Sequence, residues 1–539
     1  MSTNISKQKR EELLREIGEI RNKLKENADE NTNQLLVYLS NIEKDIDGKK
    51  YGLVFEEHRE AVDELLEKNV PVLIEDESLK IDNGGTQNFL IEGDNLASLK
   101  LLEKTHKGEI DLIYIDPPYN TGNKDFIYDD AFVDSEDKFK HSKWLSFMKA
   151  RLEIAHRLLS DKGVIFISID DKEQAQLKIL CDSIFGEENF ESFIWKKKGG
   201  AGNTEKIIGC LTEYIVCYFK KKKAGIFNYR QITRIYKYTD KNGQYNLEGI
   251  EKTNSGIYKR PTMLFDIIDP KTNRHFSPTK GMRWTVGEKN IQEMIKNNQI
   301  FFDYKKNKVY RIKREKDYEE TNNVYYNLMI DCGSLTTAKT EIETVLGNRE
   351  LFDTPKPIDL IIELLKIGSK KDTKLLDFFA GSGTTGHAVM KLNAEDGGNR
   401  KFILCTYNEN NICREVTYER IKRVIDKENY KASLKYMKVG FEPISDKVYY
   451  EYADKLLLHV KELVELENGL DFENNKKVAI TLTDEDLTAF VNSLGEETTF
   501  KAVYVGHDVF VSPIAEEKLK SLEIAINRIP DYYYSELRG

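Results

Sequence analysis

The chain contains few of the residues that mark small secreted or fibrous proteins. Among its 539 residues are only 6 cysteines, 11 prolines and 33 glycines, which excludes a disulfide-stapled scaffold and a collagen-like fibre. The cysteines are scattered, without a CxxC pair and without histidines at metal-ligand spacing. We therefore expect free thiols in a reducing compartment and no metal site.

Long apolar segments are also missing. No run reaches the roughly 18 apolar residues of a membrane-spanning helix, and the first residues, MSTNISKQKREELLREIGEI, lack the apolar centre of a secretory signal. We therefore expect a cytoplasmic protein without membrane contact. Hydrophobic residues make up 40% and charged residues 32%, which is a globular composition, and the length predicts two to four domains.

Positive charge is scarce overall but concentrated in one segment. The formal net charge of −9 by itself disfavours a polyanionic partner. Residues 194–330 nevertheless hold 28 Lys and Arg against 14 Asp and Glu, so this segment carries +14 and the remainder −23. The segment is predicted to meet a negatively charged partner.

Residues 1–50 have the apolar spacing of two amphipathic helices, separated by the polar stretch KENADENTN. Such a pair packs either on another subunit or on its own chain. The spacing favours neither interpretation, because periodicity does not name a partner.

Apolar strands alternate with amphipathic helices through residues 51–193 and again through 331–430. Strands made of continuous Ile, Leu, Val and Phe are typical of a parallel sheet covered on both faces. We predict a doubly wound, mainly parallel α/β domain that is interrupted by the basic segment 194–330. The remaining residues, 431–539, are predicted to form a C-terminal α+β part, in which we find no catalytic constellation.

The first informative motif is the tetrapeptide DPPY, which follows the apolar strand LIYI. It comprises Asp116, Pro117, Pro118 and Tyr119. Ligands of open parallel sheets bind beyond the carboxyl ends of the strands, and the two prolines remove amide donors and leave carbonyl acceptors beside a carboxylate. The carboxylate, the carbonyl acceptors and the tyrosine ring together suit the binding of a planar group that carries an NH2. The alternative is that Pro-Pro only ends a strand, with the tyrosine packed on it.

The second motif is LLDFFAGSGTTG, in which Asp377 closes a strand and Gly381, Gly383 and Gly386 open a helix. Glycine permits the tight turn and a close approach of a ligand, and a helix N-terminus offers amides to an anionic group. The spacing also fits GxGxxG, and Glu409 follows at about the distance of a ribose-binding acid. A nicotinamide-dependent oxidoreductase is therefore the competing interpretation.

Together the two motifs resemble the paired signatures of S-adenosylmethionine-dependent amino-group DNA methyltransferases, the N6-adenine and N4-cytosine enzymes. Their order, with DPPY before the basic segment and the Gly-rich motif after it, resembles the circularly permuted β class, whose fold is Rossmann-like. Residues 50–430 are similar to the modification subunits of Type III restriction-modification systems. This similarity rests on the stretches NFLIEGDNL, IYIDPPYNTGNKDFIYDDAF, HSKWLSFM, LLSDKGVIFISIDD and IFGEENF.

The resemblance implies a mechanism for the DPPY motif. Asp116 and the carbonyl of Pro117 would accept the hydrogens of an exocyclic amine, so that the nitrogen lone pair points at the sulfonium methyl group. Tyr119 would stack on the target base, which must be flipped out of the duplex. Aspartate in DPPY favours adenine over cytosine as the target.

The resemblance also implies a cofactor site. Its methionine portion would be surrounded by Asp377, Phe379, Gly381 and Gly383, and its adenine end would be contacted by Asp94 and Asn95. Thr384 would contribute a hydroxyl, and Lys356 of TPKP would lie near the amino-acid end. Glu409 would bind the ribose; the alternative is that Glu409 is a plain exposed glutamate.

The basic segment is predicted to be the target-recognition region, because lysine clusters supply phosphate contacts and Arg, Asn and Gln can read base edges. The predicted DNA-binding residues are Lys196, Lys197, Lys198, Lys221, Lys222, Arg283, Arg311 and Arg314. The expected partners are double-stranded DNA, a second copy of the chain and a restriction subunit with nuclease and helicase activity. The alternatives are a stand-alone methyltransferase and a non-catalytic specificity subunit.

Overall fold

The computed structural model divides into two units, one formed by residues 1–227 with 326–539 and the other by residues 228–325. It describes residues 5–26, 32–47, 55–122, 127–128, 131–132, 137–200, 208–230, 235–317, 323–444, 449–472, 475–495 and 497–535.

The first half of the first unit alternates helices with strands after an N-terminal helical pair. Its elements are α1 (Ile5–Glu26), α2 (Thr32–Asp47), α3 (Ala61–Lys68), β1 (Asn69–Glu75), β2 (Thr86–Glu92), α4 (Asn95–His106), β3 (Ile110–Ile115), β4 (Ile127–Tyr128), β5 (Ala131–Phe132), α5 (Lys140–Leu158), β6 (Leu159–Ile169), α6 (Gln174–Phe185), β7 (Phe190–Lys196) and β8 (Thr212–Phe219).

The second unit is mainly β. It contains β9 (Tyr238–Asp240), β10 (Gly243–Gly249), β11 (Glu251–Thr253), β12 (Ile267–Ile268), β13 (His275–Phe276), β14 (Met282–Trp284), α7 (Glu288–Lys296), β15 (Ile300–Asp303) and β16 (Lys308–Arg314). Four strands form a sheet in the order β15-β16-β10-β9. The unit has its own apolar core, in which Phe276 and Trp284 are buried.

The first unit resumes after residue 325. Its further elements are β17 (Leu328–Met329), α8 (Leu335–Leu346), α9 (Ile358–Gly368), β18 (Lys374–Asp377), α10 (Thr384–Asp396), β19 (Lys401–Thr406), α11 (Glu419–Glu428), β20 (Ala432–Pro443), α12 (Tyr449–Leu457), α13 (Val460–Asn468), β21 (Val478–Thr481), α14 (Asp484–Ser493), β22 (Ala502–Gly506), α15 (Pro513–Ser521) and β23 (Ala525–Ile529).

A ten-stranded sheet organises the first unit, in the order β1-β20-β2-β19-β18-β3-β6-β8-β7-β17. The central strands from β20 to β6 are all parallel. Strands β3, β18 and β19 are buried over most of their length, which requires cover on both faces. Helices α4, α5 and α6 pack in one series and α9, α10 and α11 in another. The predicted mainly parallel α/β class is confirmed.

The domain boundaries of the structure differ from those that the sequence suggests. Strands β7 and β8 belong to the main sheet, so residues 194–227 lie in the first unit and the separate unit begins at Asn228. Strand β8 runs antiparallel to both β6 and β7, and this hairpin breaks the strand-helix alternation on which the sequence boundary depends. At the other end, residues 432–443 also pair into the main sheet.

Two smaller parts complete the first unit. Helices α1 and α2 pack on each other, with the Arg21 guanidinium bonded to Ser40 and Glu43. Near the other end, β21, β22 and β23 form a parallel three-stranded sheet over a separate apolar core. In the part of the chain that the structure describes, no helix is both long enough and apolar enough to cross a membrane.

Candidate active site

The two sequence motifs end neighbouring strands of the main sheet. Strands β3 and β18 run parallel, with Leu376 opposite Ile113, so Asp116 and Asp377 leave the sheet at the same edge. From β3 the chain continues to β6 on one side, and from β18 it continues to β19 on the other. Such a reversal of strand order opens a crevice at the carboxyl ends, where open α/β sheets bind ligands.

The Asp116 carboxylate is held by a buried lysine. Nζ of Lys356 lies 2.9 Å from both carboxylate oxygens of Asp116, although the two residues are 240 positions apart. Only 5% of the lysine side chain is exposed, against 23% of the aspartate. The predicted catalytic aspartate and the lysine predicted at the cofactor are thus partners in one ion pair.

Tyr119 and Glu213 complete this cluster. The Tyr119 hydroxyl lies 2.8 Å from Oδ1 of Asp116 and 3.2 Å from Oε2 of Glu213, and it accepts a hydrogen bond from Lys356 at 2.8 Å. Glu213 lies 3.6 Å from Nζ of Lys356 and 3.1 Å from Nζ of Lys197. Two carboxylates and the Lys356 ammonium therefore surround the phenol hydroxyl, and the Lys197 ammonium pairs with the other oxygen of Glu213.

Burial and charge act in opposite directions on the pKa values of this cluster. Burial raises the pKa of Asp116; the ammonium of Lys356 opposes the rise and the Glu213 carboxylate adds to it. Burial disfavours the charged form of Lys356, but the carboxylates of Asp116 and Glu213 outweigh it, so the pKa of Lys356 is raised. The pKa of Asp116 therefore stays above its ordinary value, although the ion pair with Lys356 counteracts part of the rise.

Acceptor capacity remains on the aspartate. Oδ1 receives hydrogen bonds from Lys356 and Tyr119, whereas Oδ2 receives one from Lys356. Because each carboxylate oxygen has two lone pairs, Oδ2 can accept one further hydrogen. The arrangement can therefore hold one N–H of a substrate amine.

The two proline carbonyls differ in their surroundings. The indole Nε1 of Trp144 donates to the Pro118 carbonyl at 2.7 Å, so this acceptor is already engaged within the protein. Asn120, which follows the motif with a positive φ of 55°, donates to Glu173 at 2.6 Å and to the Lys140 carbonyl at 3.1 Å. These bonds of Asn120 hold the turn after β3. Because the Pro118 carbonyl is already engaged, the Pro117 carbonyl stays the predicted substrate contact.

The Gly-rich loop after β18 has the conformation that its sequence predicts. Gly381 and Gly383 have φ values of 47° and 72°, in the left-handed region that favours glycine. The buried carboxylate of Asp377 accepts hydrogen bonds from the Phe379 amide at 3.0 Å and the Thr385 hydroxyl at 2.5 Å. Burial raises the pKa of Asp377 to about 7, against the lowering effect of these two bonds.

Thr384 lies at the first position of α10, but its hydroxyl is bonded within the protein. It donates to the Lys356 carbonyl at 3.1 Å and accepts from the buried guanidinium of Arg420 at 2.7 Å. Instead of presenting a free hydroxyl to a ligand, Thr384 joins the Gly-rich loop to the segment that carries Lys356.

Asp94 and Asn95 follow β2 and begin α4. The Asp94 carboxylate caps this helix, with Oδ1 accepting from the Leu96 and Ala97 amides at 2.8 and 3.1 Å. Oδ1 of Asn95 accepts from Nε of Arg151 at 2.5 Å. The Arg151 guanidinium lies 3.7 Å from the ring centroid of Phe147, and Phe147 contacts Phe379. Both predicted adenine-end residues thus connect through side-chain contacts to the Gly-rich loop.

The Glu409 side chain is exposed. It begins a short 3-10 turn three residues after the end of β19, and the next two residues, Asn410 and Asn411, have positive φ values. The structure therefore places Glu409 on the same edge of the sheet as the Gly-rich loop but shows no contact that fixes its role.

The family model described as DNA methylase matches residues 110–417, a range that begins at β3 and includes both Asp116 and the Gly-rich loop. The chain belongs to the DNA methylase family.

The chain is 34% identical over 395 residues to the Type III restriction-modification enzyme StyLTI Mod subunit of Salmonella typhimurium, covering 66% of this chain and 59% of that one. It is 33% identical over 433 residues to the EcoPI Mod subunit of Escherichia phage P1, covering 67% and 66%. It is 36% identical over 340 residues to the Type II methyltransferase M.KpnI of Klebsiella pneumoniae, covering 60% and 81%. The chain thus spans less than two thirds of the length of either Mod subunit.

The predicted DNA-binding residues of this DNA methylase are divided between the two units. Lys196, Lys197, Lys198, Lys221 and Lys222 lie in the first unit, and Arg283, Arg311 and Arg314 lie in the second. Lys221 pairs with Asp161 at 2.9 Å and Lys222 with Glu191 at 2.8 Å, both near the surface. Lys197 is bonded in the active-site cluster, and Arg314 makes two bonds to Asp240.

Sequence reasoning missed Glu213, Trp144 and Arg151. Glu213 stands as one carboxylate at the start of the apolar strand LTEYIVCYF, which is a weak signal of a buried ion pair. Trp144 and Arg151 lie on α5 among buried apolar residues. Their partners are the Pro118 carbonyl and Asn95, which only the three-dimensional arrangement of the chain brings near.

Proposed function

We propose that this DNA methylase is an S-adenosylmethionine-dependent, site-specific DNA adenine N6-methyltransferase. One observation carries the proposal: Asp116 and the Gly-rich loop end adjacent strands, and Lys356 joins them. Its Nζ is bonded to Asp116 and its carbonyl to Thr384 of the loop. An acceptor for an amine and a cradle for a cofactor therefore share one crevice.

The residues around the loop fit S-adenosylmethionine. Gly381 and Gly383 give the turn before α10 its left-handed backbone conformation, and the buried Asp377 carboxylate holds this turn through the Phe379 amide. Phe379, Asp94 and Asn95 lie around the same crevice, and Glu409 is our candidate for the ribose hydroxyls. When bound, the cofactor supplies a methyl group on a positively charged sulfur, which an amine nitrogen can attack.

The DPPY residues would prepare the amine. Oδ2 of Asp116 accepts one amino hydrogen and the Pro117 carbonyl accepts the other, which draws the nitrogen lone pair out of conjugation with the ring. Asp116 then takes the proton that the methylated nitrogen releases. The Tyr119 hydroxyl donates to Asp116 at 2.8 Å and accepts from Lys356 at 2.8 Å, so its ring is held in one orientation, as a surface on which a base can stack.

Base flipping and sequence recognition are assigned to the basic residues. Extruding a nucleotide costs roughly a few kcal/mol, which stacking on Tyr119 and phosphate contacts offset. Lys196, Lys198, Lys221 and Lys222 of the first unit are proposed phosphate contacts. We propose Arg283, Arg311 and Arg314 as the DNA contacts of residues 228–325. Such contacts predict binding that weakens steeply with salt.

We further propose that the chain acts as the modification and specificity subunit of a Type III-like restriction-modification system, as a homodimer with a restriction subunit as partner. The similarity to two Mod subunits supports this assignment. The similarity to M.KpnI supports a second candidate, a methyltransferase that works without such a partner. Cofractionation of a tagged chain with a nuclease-helicase subunit separates the two.

The reaction is tested with duplex DNA and a cofactor labelled in its methyl group, followed by digestion of the DNA to nucleosides. We expect the label in N6-methyl-2′-deoxyadenosine. Label in N4-methyl-2′-deoxycytidine would overturn the base assignment but leave the reaction class intact. Absence of label in DNA of diverse sequence would overturn the proposed function.

The cofactor loop is tested with a pair of glycine variants. Gly383→Ala should lose both stability and cofactor affinity, because φ is 72° and a Cβ would lie 3.2 Å from the Thr417 carbonyl oxygen. Gly397→Ala is the matched control, since its φ is 68° and no atom lies within 4 Å of the added Cβ. An alanine in the left-handed conformation costs about 1 kcal/mol of stability, and both variants should lose this amount. Calorimetry should show weaker S-adenosylmethionine binding only for Gly383→Ala.

The same calorimetry decides between the two cofactors that the Gly-rich motif allows. We expect S-adenosylmethionine to bind the unmodified protein and NAD to give no heat. Binding of NAD that is weakened by Gly383→Ala would favour the oxidoreductase interpretation instead.

A further inference from the structure

Glu213 is the least expected member of the active-site cluster. It is the second residue of β8, only 5% exposed, and comes from an antiparallel strand outside the two sequence motifs. Its carboxylate reaches three groups: the Tyr119 hydroxyl at 3.2 Å, Nζ of Lys356 at 3.6 Å and Nζ of Lys197 at 3.1 Å. Two of these three groups also hold Asp116.

We propose that Glu213 is a positioning residue for methyl transfer, which sets the strength of Asp116 as a proton acceptor by sharing Lys356 and Tyr119 with it. The inference rests on the proposed function and adds to it a residue that acts through others. Lys197 belongs to the same arrangement, because its ammonium pairs with the other carboxylate oxygen of Glu213.

Asp116, Glu213 and Tyr119 share the donor hydrogens of Lys356. Lys356 has three donor hydrogens, and it lies 2.9 Å from each oxygen of Asp116, 2.8 Å from the Tyr119 hydroxyl and 3.6 Å from Glu213. The Glu213 carboxylate beside the Lys356 ammonium weakens the attraction between that ammonium and the Asp116 carboxylate. Asp116 consequently remains a better acceptor for the amine proton than it would be with Lys356 to itself.

Several charged or titratable groups face Asp116. Lys356 approaches from the segment before α9 and Glu213 from β8, while Tyr119 follows in the same loop. Tyr114 on β3 and Asp377 at the end of β18 interact with Asp116 through charge. Of these groups, Glu213 and Lys356 are the ones whose neutralisation changes the charge next to Asp116 without removing a motif residue.

The direction of the effect follows from the signs. The Glu213 carboxylate raises the pKa of Asp116, so its neutralisation lowers that pKa. Asp116 must be ionised to accept a proton, and methyl transfer is therefore lost as the pH falls through its pKa. Glu213→Gln should move this acidic limb to lower pH, and the weaker base should also lower the plateau.

The test is the pH dependence of single-turnover methyl transfer, at saturating duplex DNA and S-adenosylmethionine. For Glu213→Gln we expect the acidic limb to fall by about half to one pH unit and the plateau to fall about tenfold, a part of the 10²–10⁴ that such proton transfer contributes. Lys197→Met removes a positive charge and should move the limb the opposite way, to higher pH.

The matched control is Glu109→Gln. Glu109 precedes β3 at the opposite end of the strand from Asp116 and pairs with Lys374, so the same charge is removed far from the crevice. Its limb should not move. If Glu213→Gln fails to fold, Lys197→Met decides alone.

The outcomes separate the inference from the function on which it rests. No methyl transfer by the unmodified protein at any pH would overturn the proposed function. Methyl transfer by the unmodified protein, with an acidic limb that stays in place in both Glu213→Gln and Lys197→Met, would overturn the role of Glu213 alone. A lower plateau without movement of the limb would reduce Glu213 to a structural residue.

Discussion

Asp116→Ala is expected to lower the rate of methyl transfer by about 10²–10⁴-fold, while binding of S-adenosylmethionine persists. The variant removes the acceptor of the amine hydrogen and of the released proton. The fold should tolerate this change, because Glu213 remains as the anionic neighbour of the buried Lys356. Single-turnover kinetics measure the first effect and calorimetry the second.

Asp170→Asn serves as the control for this experiment. Asp170 follows β6, the neighbour of β3 in the sheet, and its carboxylate accepts from the Lys172 amide at 2.9 Å. It ends a strand at the same edge as Asp116 and interacts with Glu213 and Lys197 through charge alone, so we expect Asp170→Asn to keep far more activity than Asp116→Ala. Loss of cofactor binding in Asp116→Ala would mean that the aspartate holds the cofactor or the fold.

Lys356→Met should produce the largest loss of stability. Removing the ammonium leaves the carboxylates of Asp116 and Glu213 buried together, and breaking a buried ion pair in this way costs about 3–5 kcal/mol. The two carboxylates would then hold a proton more tightly in the folded protein than in the unfolded chain. Stability should therefore fall as the pH rises above the ordinary carboxyl pKa, which denaturant midpoints at pH 5.5 and pH 8 can measure.

The control for the lysine variant lies ten residues further along the chain, in the last turn of α9. Lys366 is 45% exposed and lies 3.9 Å from Glu395. Surface pairs of this kind contribute about 0–1 kcal/mol, so Lys366→Met should shift the midpoint little at either pH. Equal shifts for the two variants would contradict a stabilising role of Lys356 in the cluster.

Local signals in the sequence were enough for the fold class and for the ends of two strands. Continuous apolar runs predict β3 and β18, and the prolines and glycines that follow them mark the turns that carry Asp116 and Gly381. The cap formed by Asp94 is also a local signal, because aspartate directly before a helical pattern is a preferred N-cap.

The partners of the charged side chains could not be predicted in the same way. Lys356 and Asp116 are 240 residues apart, and their pairing depends on the order of the strands, which apolar periodicity does not encode. The antiparallel strand β8 was missed for a related reason. It pairs directly with β6 and β7, and the described residues between β7 and β8 contain no helix to indicate that the strands of the main sheet continue. Glu213 enters the crevice only through that strand.

The position of β18 between β3 and β19 has a consequence for synthesis on the ribosome. Strand β3 is complete at residue 115, but its neighbour on one side ends only at residue 377. Until then the nascent chain presents an open, apolar strand edge, which favours aggregation. We therefore expect truncated chains that end before β18 to require chaperones to stay dispersed.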